Sequence, residues 1–405
     1  MKHNGGPSTE GAARTVPSPI QRWQTAGFGL YIHWPFCESK CPYCDFNSHV
    51  SEQIDQNAWL NGYLSEMRKS AKETEGRVLR SIFFGGGTPS LMRPDLVEAI
   101  IDEAGRLWTL SNDIEITLEA NPSSVEIGRF RDFKGAGVNR VSVGVQALNN
   151  TDLRRLGRMH DAQEARAAIK VSQAVFDRTN FDLIYARQDQ SLSAWRAELK
   201  EALNIAEDHM SLYQLTVEPG TVFGARFSRG LLRGLPNEDL AADMYELTQE
   251  MCEASDRPAY EVSNHSRVGG ESRHNIIYWQ CGDYIGVGPG AHGRLTDATG
   301  QRFATVQTSA PAQWLQQTNL ASSSKSEREI LSAEEQATEF LVMGLRLTKG
   351  VDLADYNGLA ETPLSTIRTD YLQEQGLIEL YNGNLRATPS GRLVLNYVLQ
   401  KLTSD

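Results

Sequence analysis

The chain alternates short apolar runs with longer amphipathic stretches. Apolar runs at 29–34, 81–84, 113–119, 140–145, 180–184 and 210–216 are each bounded by turn residues and predict β-strands. Between them, 57–72, 94–108 and 161–175 carry the apolar spacing of helices that bury one face. Six βα units at roughly 30-residue spacing predict a parallel sheet. Periodicity leaves two shapes open, a barrel (or part of one) and an open doubly wound sheet.

The pattern changes near Pro236. A helix over 238–254 leads to a short strand at 259–262, a glycine-rich run at 286–293 and a polar stretch over 295–324. Ser322, Ser323 and Ser324 read as a linker. Ser332 and Glu335 then stand at capping-box spacing, ahead of an apolar face of Phe340, Leu341, Met343 and Leu347. A second helix surrounds 364–374. Asn382-Gly383-Asn384 sits between two short apolar runs, a hairpin signal, and Thr388-Pro389 opens a last helix. Helices followed by a two-stranded wing make a winged-helix-like α+β module. Residues 1–26 are rich in Gly, Ser, Thr and Pro, lack periodicity and read as a disordered tail. The expected division is a tail at 1–26, an α/β barrel at 27–236, an extension at 237–325 and a C-terminal domain at 326–405.

Composition narrows the function classes. The 405 residues are 40% hydrophobic, which suits a globular chain. A net charge of -11 argues against a broad nucleic-acid surface, and the winged module lacks a dense Lys/Arg patch. No apolar run approaches the ~20 residues of a membrane span, and no apolar h-region marks a secretory signal. Five cysteines are too few and too clustered for a disulfide framework, so a reducing, cytoplasmic setting is expected.

The chemistry concentrates in two loops. Cys37, Cys41 and Cys44 are spaced C-x3-C-x2-C after the first predicted strand. Three such thiolates can grip one metal centre. One reading is zinc, completed by His33 or His49. The other is a [4Fe–4S] cluster with one iron left open. After the second strand, Gly85-Gly86-Gly87-Thr88-Pro89 offers backbone that a ligand can approach, with proline starting the next helix. In a barrel the active-site groups come from the C-terminal ends of strands. Glu119, Gln146, Asp182 and Gln214 are the polar residues in such places. Cys252 and Cys281 have no partner at metal-site spacing and read as buried hydrophobes, with contact to a porphyrin as an alternative for Cys281.

The cysteine spacing, with Tyr43 before the last thiol and the GGGTP loop, resembles the radical S-adenosylmethionine (SAM) superfamily. Within it the chain is similar to the branch related to oxygen-independent coproporphyrinogen III oxidase, and more closely to that branch's haem chaperones. The resemblance implies a partial (β/α)6 TIM-like barrel with a C-terminal winged-helix-like domain. It implies a [4Fe–4S] cluster on Cys37, Cys41 and Cys44, and SAM contacts at Tyr31, Tyr43, Gly86, Gly87, Thr88, Glu119, Gln146, Arg158 and Asp182. It also implies haem as cargo, passed to haem-dependent membrane proteins such as respiratory-chain components. Two features favour the chaperones over the oxidases. The oxidases carry a fourth cysteine where this chain has Phe46. His274-Asn275-x-x-Tyr278-Trp279 resembles a motif associated with haem binding, with His274 as the implied ligand. Coproporphyrinogen III oxidation remains the alternative activity.

Overall fold

The computed structural model describes residues 22–51, 53–319 and 327–403. Six parallel strands follow in chain order: β1 Phe28–Trp34, β2 Val78–Gly86, β3 Thr109–Ala120, β4 Arg140–Gln146, β5 Arg178–Tyr185 and β6 His209–Gln214. Helices α1 Gln56–Glu73, α2 Pro94–Leu107, α3 Ala162–Val175 and α4 Leu192–Ile205 connect or follow them. Asp55 caps α1 by accepting from the Asn57 and Ala58 N–H groups, and Asp161 opens α3 in a capping box with Glu164.

Period-2 alternation sorts each strand into two faces. Phe28, Leu30, Ile32 and Trp34 join Ile82, Phe84, Ile116, Leu118, Val141, Val143, Phe181, Leu183, Met210 and Leu212 in one core, packed on the helices through Trp59, Met67, Leu96 and Trp195. Each such side chain contributes about 1.5–3 kcal/mol by leaving water. The alternate positions turn inward and are largely polar. Ser142, Asn180, Asp182 and Ser211 are linked there by hydrogen bonds from Asn180 Nδ2. An enclosed polar lining, tied together in this way, is what a site needs and a packed core does not.

The segment after Pro236 does not form a separate body. Helix α5 Glu238–Ala254 matches its expected span. The expected strand at 259–262 makes only isolated bridges; the ladder is instead β7 Asn264–Ser266, antiparallel to β6. After helix α6 Arg273–Trp279, β8 Asp283–Val287 lies parallel to β1 on its other side. β9 His292–Thr296 joins the end of the glycine-rich run to the polar stretch, which holds β10 Arg302–Val306, and β11 Glu327–Ile330 ends the sheet. The order is β11-β10-β9-β8-β1-β2-β3-β4-β5-β6-β7. Strand β11, placed by sequence in the C-terminal domain, thus belongs to the barrel sheet. A buried ion triad locks this join: Asp283 accepts from Arg77 Nη1 at 2.6 Å, Arg302 Nη1 at 3.0 Å and the Thr296 N–H at 2.6 Å.

The C-terminal domain contains α7 Ala333–Gly344, β12 Val351–Asp352, α8 Thr366–Glu374, the hairpin β13 Ile378–Tyr381 and β14 Asn384–Ala387, and α9 Leu395–Thr403. Ser332 and Glu335 form the expected capping box. Asn382 and Gly383 both have positive φ, 50° and 83°, as a tight hairpin turn requires. Cys281 joins this domain's core and Cys252 the barrel's, and burial pushes both thiols up to about 12. The expected tail ends too late: Arg22–Ala26 is a helical turn, with Arg22 over the Phe340 ring at 3.9 Å. The rest of the tail and the Ser322–Ser324 linker lie outside the described residues. Among the described residues no helix is long and apolar enough to cross a membrane.

Candidate functional site

A cleft opens at the C-terminal ends of the strands. Cys37, Cys41 and Cys44 line it, together with Tyr43, Gly86, Gly87, Thr88, Glu119, Gln146, Arg158 and Asp182. Eight of the nine expected SAM contacts therefore share one cavity with the three thiols. Tyr31 does not reach it. Its hydroxyl is 3.0 Å from His33 Nδ1, and its ring stacks on Phe83 and His274 deeper in the barrel. Gln214 also lies outside the cleft, exposed at the end of β6.

The cysteine loop is held by backbone bonds to its neighbours. Gly87 N–H donates to the Trp34 carbonyl at 2.7 Å, Thr88 N–H to the Phe36 carbonyl at 2.8 Å, and Phe223 N–H to the Pro42 carbonyl at 2.8 Å. The glycines have a second purpose beside ligand access. A Cβ on Gly86, whose φ is 109°, would stand 2.5 Å from the His33 ring, and one on Gly87 would stand 2.6 Å from the Phe36 carbonyl oxygen. So the loop after β2 packs flush against the cysteine loop. Pro89 opens a 3₁₀ turn, Pro89–Leu91, and the longer helix starts only at Pro94.

His33 and His49, the candidates to close a zinc site, do not line the cleft. His33 Nδ1 faces Tyr31 and its Nε2 meets the Asn47 carbonyl at 2.9 Å; His49 is exposed and bonded to Asn47 Oδ1. Among the described residues no three His, Cys, Asp or Glu side chains could hold a single ion. Thiols spread around a cleft suit a multinuclear cluster, each taking a different iron.

Opposite the thiols stand two inward carboxyls. Glu119 accepts from the Gly86 N–H at 3.3 Å, and burial, reinforced by nearby Asp182, pushes its pKa up to about 8. Burial raises Asp182 to about 6, held back by hydrogen bonds from Ser211 and Ser142. Such a pair welcomes a cationic or hydroxyl-bearing ligand. Gln146, at φ 71°, keeps a buried Oε1 with no partner, and Arg158 a buried Nε with none. Orphaned groups on a cavity wall fit a polar ligand that would satisfy them.

Arg158 Nη1 donates to Cys41 Sγ at 3.3 Å, and its Nη2 to Asn121 Oδ1 at 2.6 Å and the Gly144 carbonyl at 2.8 Å. Asn121 escaped sequence reasoning; its one signal is its place before Pro122, just after Glu119. Phe46 stands at the mouth, 58% exposed.

His274 lies elsewhere. It is buried in the barrel, with Nδ1 2.7 Å from Ser81 Oγ and Nε2 2.6 Å from the Tyr278 hydroxyl. Its backbone N–H donates to Glu115, which also binds Arg178. Burial drives its pKa down to about 3. Both ring nitrogens are engaged, so neither is left for a haem iron in this arrangement. His292, on β9, is exposed.

The family description "Radical SAM superfamily" matches residues 31–196, and "HemN C-terminal domain" matches 331–394. The chain is 36% identical over 381 residues to "Heme chaperone HemW" of Escherichia coli (strain K12), covering 93% of this chain and 98% of that protein. It is 38% identical over 387 residues to "Radical S-adenosyl methionine domain-containing protein 1, mitochondrial" of Bos taurus, covering 93% and 87%. Among solved structures, coproporphyrinogen III oxidase (HemN) from Escherichia coli superposes with a TM-score of 0.76 at 20% identity, covering 93% of this chain and 90% of that one. That likeness gives the fold, a partial barrel with a C-terminal domain. With near full-length identity above 30%, the chain belongs to the radical SAM superfamily, in the family of the HemW haem chaperones.

Proposed function

We propose that the chain is a haem chaperone acting in the cytoplasm. It holds a [4Fe–4S] cluster on Cys37, Cys41 and Cys44, binds SAM beside it, and passes haem to haem-dependent membrane proteins. The observation that carries the cofactor reading is the meeting of three thiols, two inward carboxyls and two orphaned polar groups in one cleft. The haem reading rests on the relatives' names and on Phe46 in place of a fourth thiol. When bound, cluster and SAM together supply one-electron chemistry at a sulfonium.

The chain's own part is binding and orientation. Gly86 and Gly87 bring backbone to the ligand. Glu119 and Asp182 accept from hydroxyls or answer a positive charge. Arg158 Nε has no partner and can meet a carboxylate. Haem ligation falls more readily to exposed His292 than to His274, whose replacement acts first on the barrel interior.

Anaerobic reconstitution and haem titration of wild type, His292→Ala and His274→Ala test this. The expected result is ~4 Fe per chain and haem binding weakened in His292→Ala. Uptake of zinc alone, or no haem binding by wild type, overturns the reading. The second reading, coproporphyrinogen III oxidation, predicts protoporphyrinogen from coproporphyrinogen, SAM and a reductant; no turnover is expected.

A further inference from the structure

Each of the three thiols has a polar side chain beside it in the cleft. The Arg158 guanidinium donates to Cys41 Sγ at 3.3 Å. The Thr88 side chain lines the same cleft as the Cys37 thiol. Ser48 Oγ is 3.7 Å from Cys44 Sγ. Two of these donors are joined through one residue that touches no sulfur. Asn121 Oδ1 accepts from Arg158 Nη2 at 2.6 Å, and Asn121 Nδ2 donates to Thr88 Oγ1 at 3.1 Å. The amide can face only this way, because a guanidinium has no acceptor to offer an NH2 group. With its oxygen already accepting from Asn121, Thr88 keeps its own proton for an acceptor in the cleft, where Cys37 stands. The Asn121 backbone is fixed in turn, its N–H donating to Glu126 Oε2 at 2.8 Å.

We propose that these donors raise the reduction potential of the cluster, and that Asn121 is the positioning residue that aims two of them. This rests on the cluster reading above. One-electron reduction adds negative charge that spreads onto the sulfurs. A donor already pointing at a sulfur stabilises the reduced form more than the oxidised one, and a cationic donor more than a hydroxyl. The arrangement also couples the two sides of the cleft. Arg158 follows β4 and Thr88 follows β2, so a shift of either loop reaches both sulfurs through Asn121.

The test is a redox titration of the full-length, reconstituted chain without SAM, followed by electron paramagnetic resonance, with iron content measured on each sample. Thr88→Val and Arg158→Gln are expected to keep wild-type iron and to move the midpoint to more negative potential, Arg158→Gln by more. Thr88→Ser keeps a hydroxyl and restores the wild-type value. Asn121→Asp still accepts from Arg158 but cannot donate to Thr88, whose proton then turns away from Cys37. Its midpoint falls, and adding Thr88→Val to it brings no further shift. Unchanged midpoints in Thr88→Val and Arg158→Gln overturn the proposal. Additive shifts in the double variant overturn the positioning role of Asn121. Loss of iron in Thr88→Ser as well as Thr88→Val assigns the residues to holding the loop and also overturns it. A wild type that takes up no iron overturns the cluster reading itself, whereas unchanged midpoints on a loaded cluster leave that reading standing.

Discussion

Asn47 donates from Nδ2 to the Pro289 carbonyl at 2.9 Å, tying the end of the cysteine loop to the glycine-rich run 242 residues later. The same group also donates to the Ser309 carbonyl at 2.9 Å. Gly290 makes the approach possible, since a Cβ there would stand 2.7 Å from Asn47 Nδ2. The extension therefore braces the metal-binding loop.

Asn47→Ala removes both bonds and leaves two carbonyls without this donor. The expected cost is about 1–3 kcal/mol. Reconstituted Asn47→Ala should lose iron to a chelator faster than wild type, with its melting temperature lowered. Equal iron loss would separate the extension from the stability of the loop.

Asp283→Asn keeps the shape of the buried triad but leaves Arg77 and Arg302 without their shared charge. Breaking such a pair costs about 3–5 kcal/mol. Denaturant unfolding of the variant should show the loss, and replacement of an exposed partner such as Asp95 should not.

Gly391 lies where a Cβ would stand 1.8 Å from the Leu377 carbonyl oxygen. Gly391→Ala must push the turn Pro389–Leu393 away from the hairpin, at roughly 3 kcal/mol, the upper end of overpacking costs. Hydrogen exchange should quicken in 351–403 and stay unchanged in the barrel strands.

Glu119 gives a pH dependence with a defined sign. Its pKa rises from 4.5 in the unfolded chain to about 8 in the fold, so the folded state holds a proton the unfolded state has released. Stability is therefore greatest below about 4.5 for this group and falls as pH rises toward 8. Asp182 adds the same trend between 3.8 and about 6. Denaturation midpoints of the ligand-free protein should drop across this range, and Glu119→Gln should remove the part above pH 6. A cationic ligand in the cleft should flatten the wild-type slope.

The sequence showed the barrel strands because their outward residues form apolar runs. Their ends were less legible. Strand β3 begins at Thr109, four residues before the apolar pattern, because Thr109 and Leu110 pair with Val78 and Leu79 across a break in the ladder's register. Strands β9 to β11 were missed for a related reason. β11 exposes all four residues and is held by its ladder to β10, which leaves no hydrophobic trace. The site thiols were legible from spacing, whereas Asn121 was not, since its partners Thr88 and Arg158 are distant in the chain. The hydrogen bonding of His274 was illegible for the same reason: Ser81, which satisfies one ring nitrogen, lies 193 residues away.

The position of β8 beside β1 bears on how the chain is made. β1 leaves the ribosome long before the strand that covers its second edge, Asp283–Val287, some 250 residues later. At synthesis rates of about 5–20 residues per second, that edge waits roughly 10–50 s for its partner. During that time it presents unpaired N–H and C=O groups flanked by Leu30 and Ile32, a template for wrong pairing. Completion of the sheet is thus a late event of high contact order. Truncations before residue 283 should collect in aggregates, and full-length chains should depend on holding factors while they are translated.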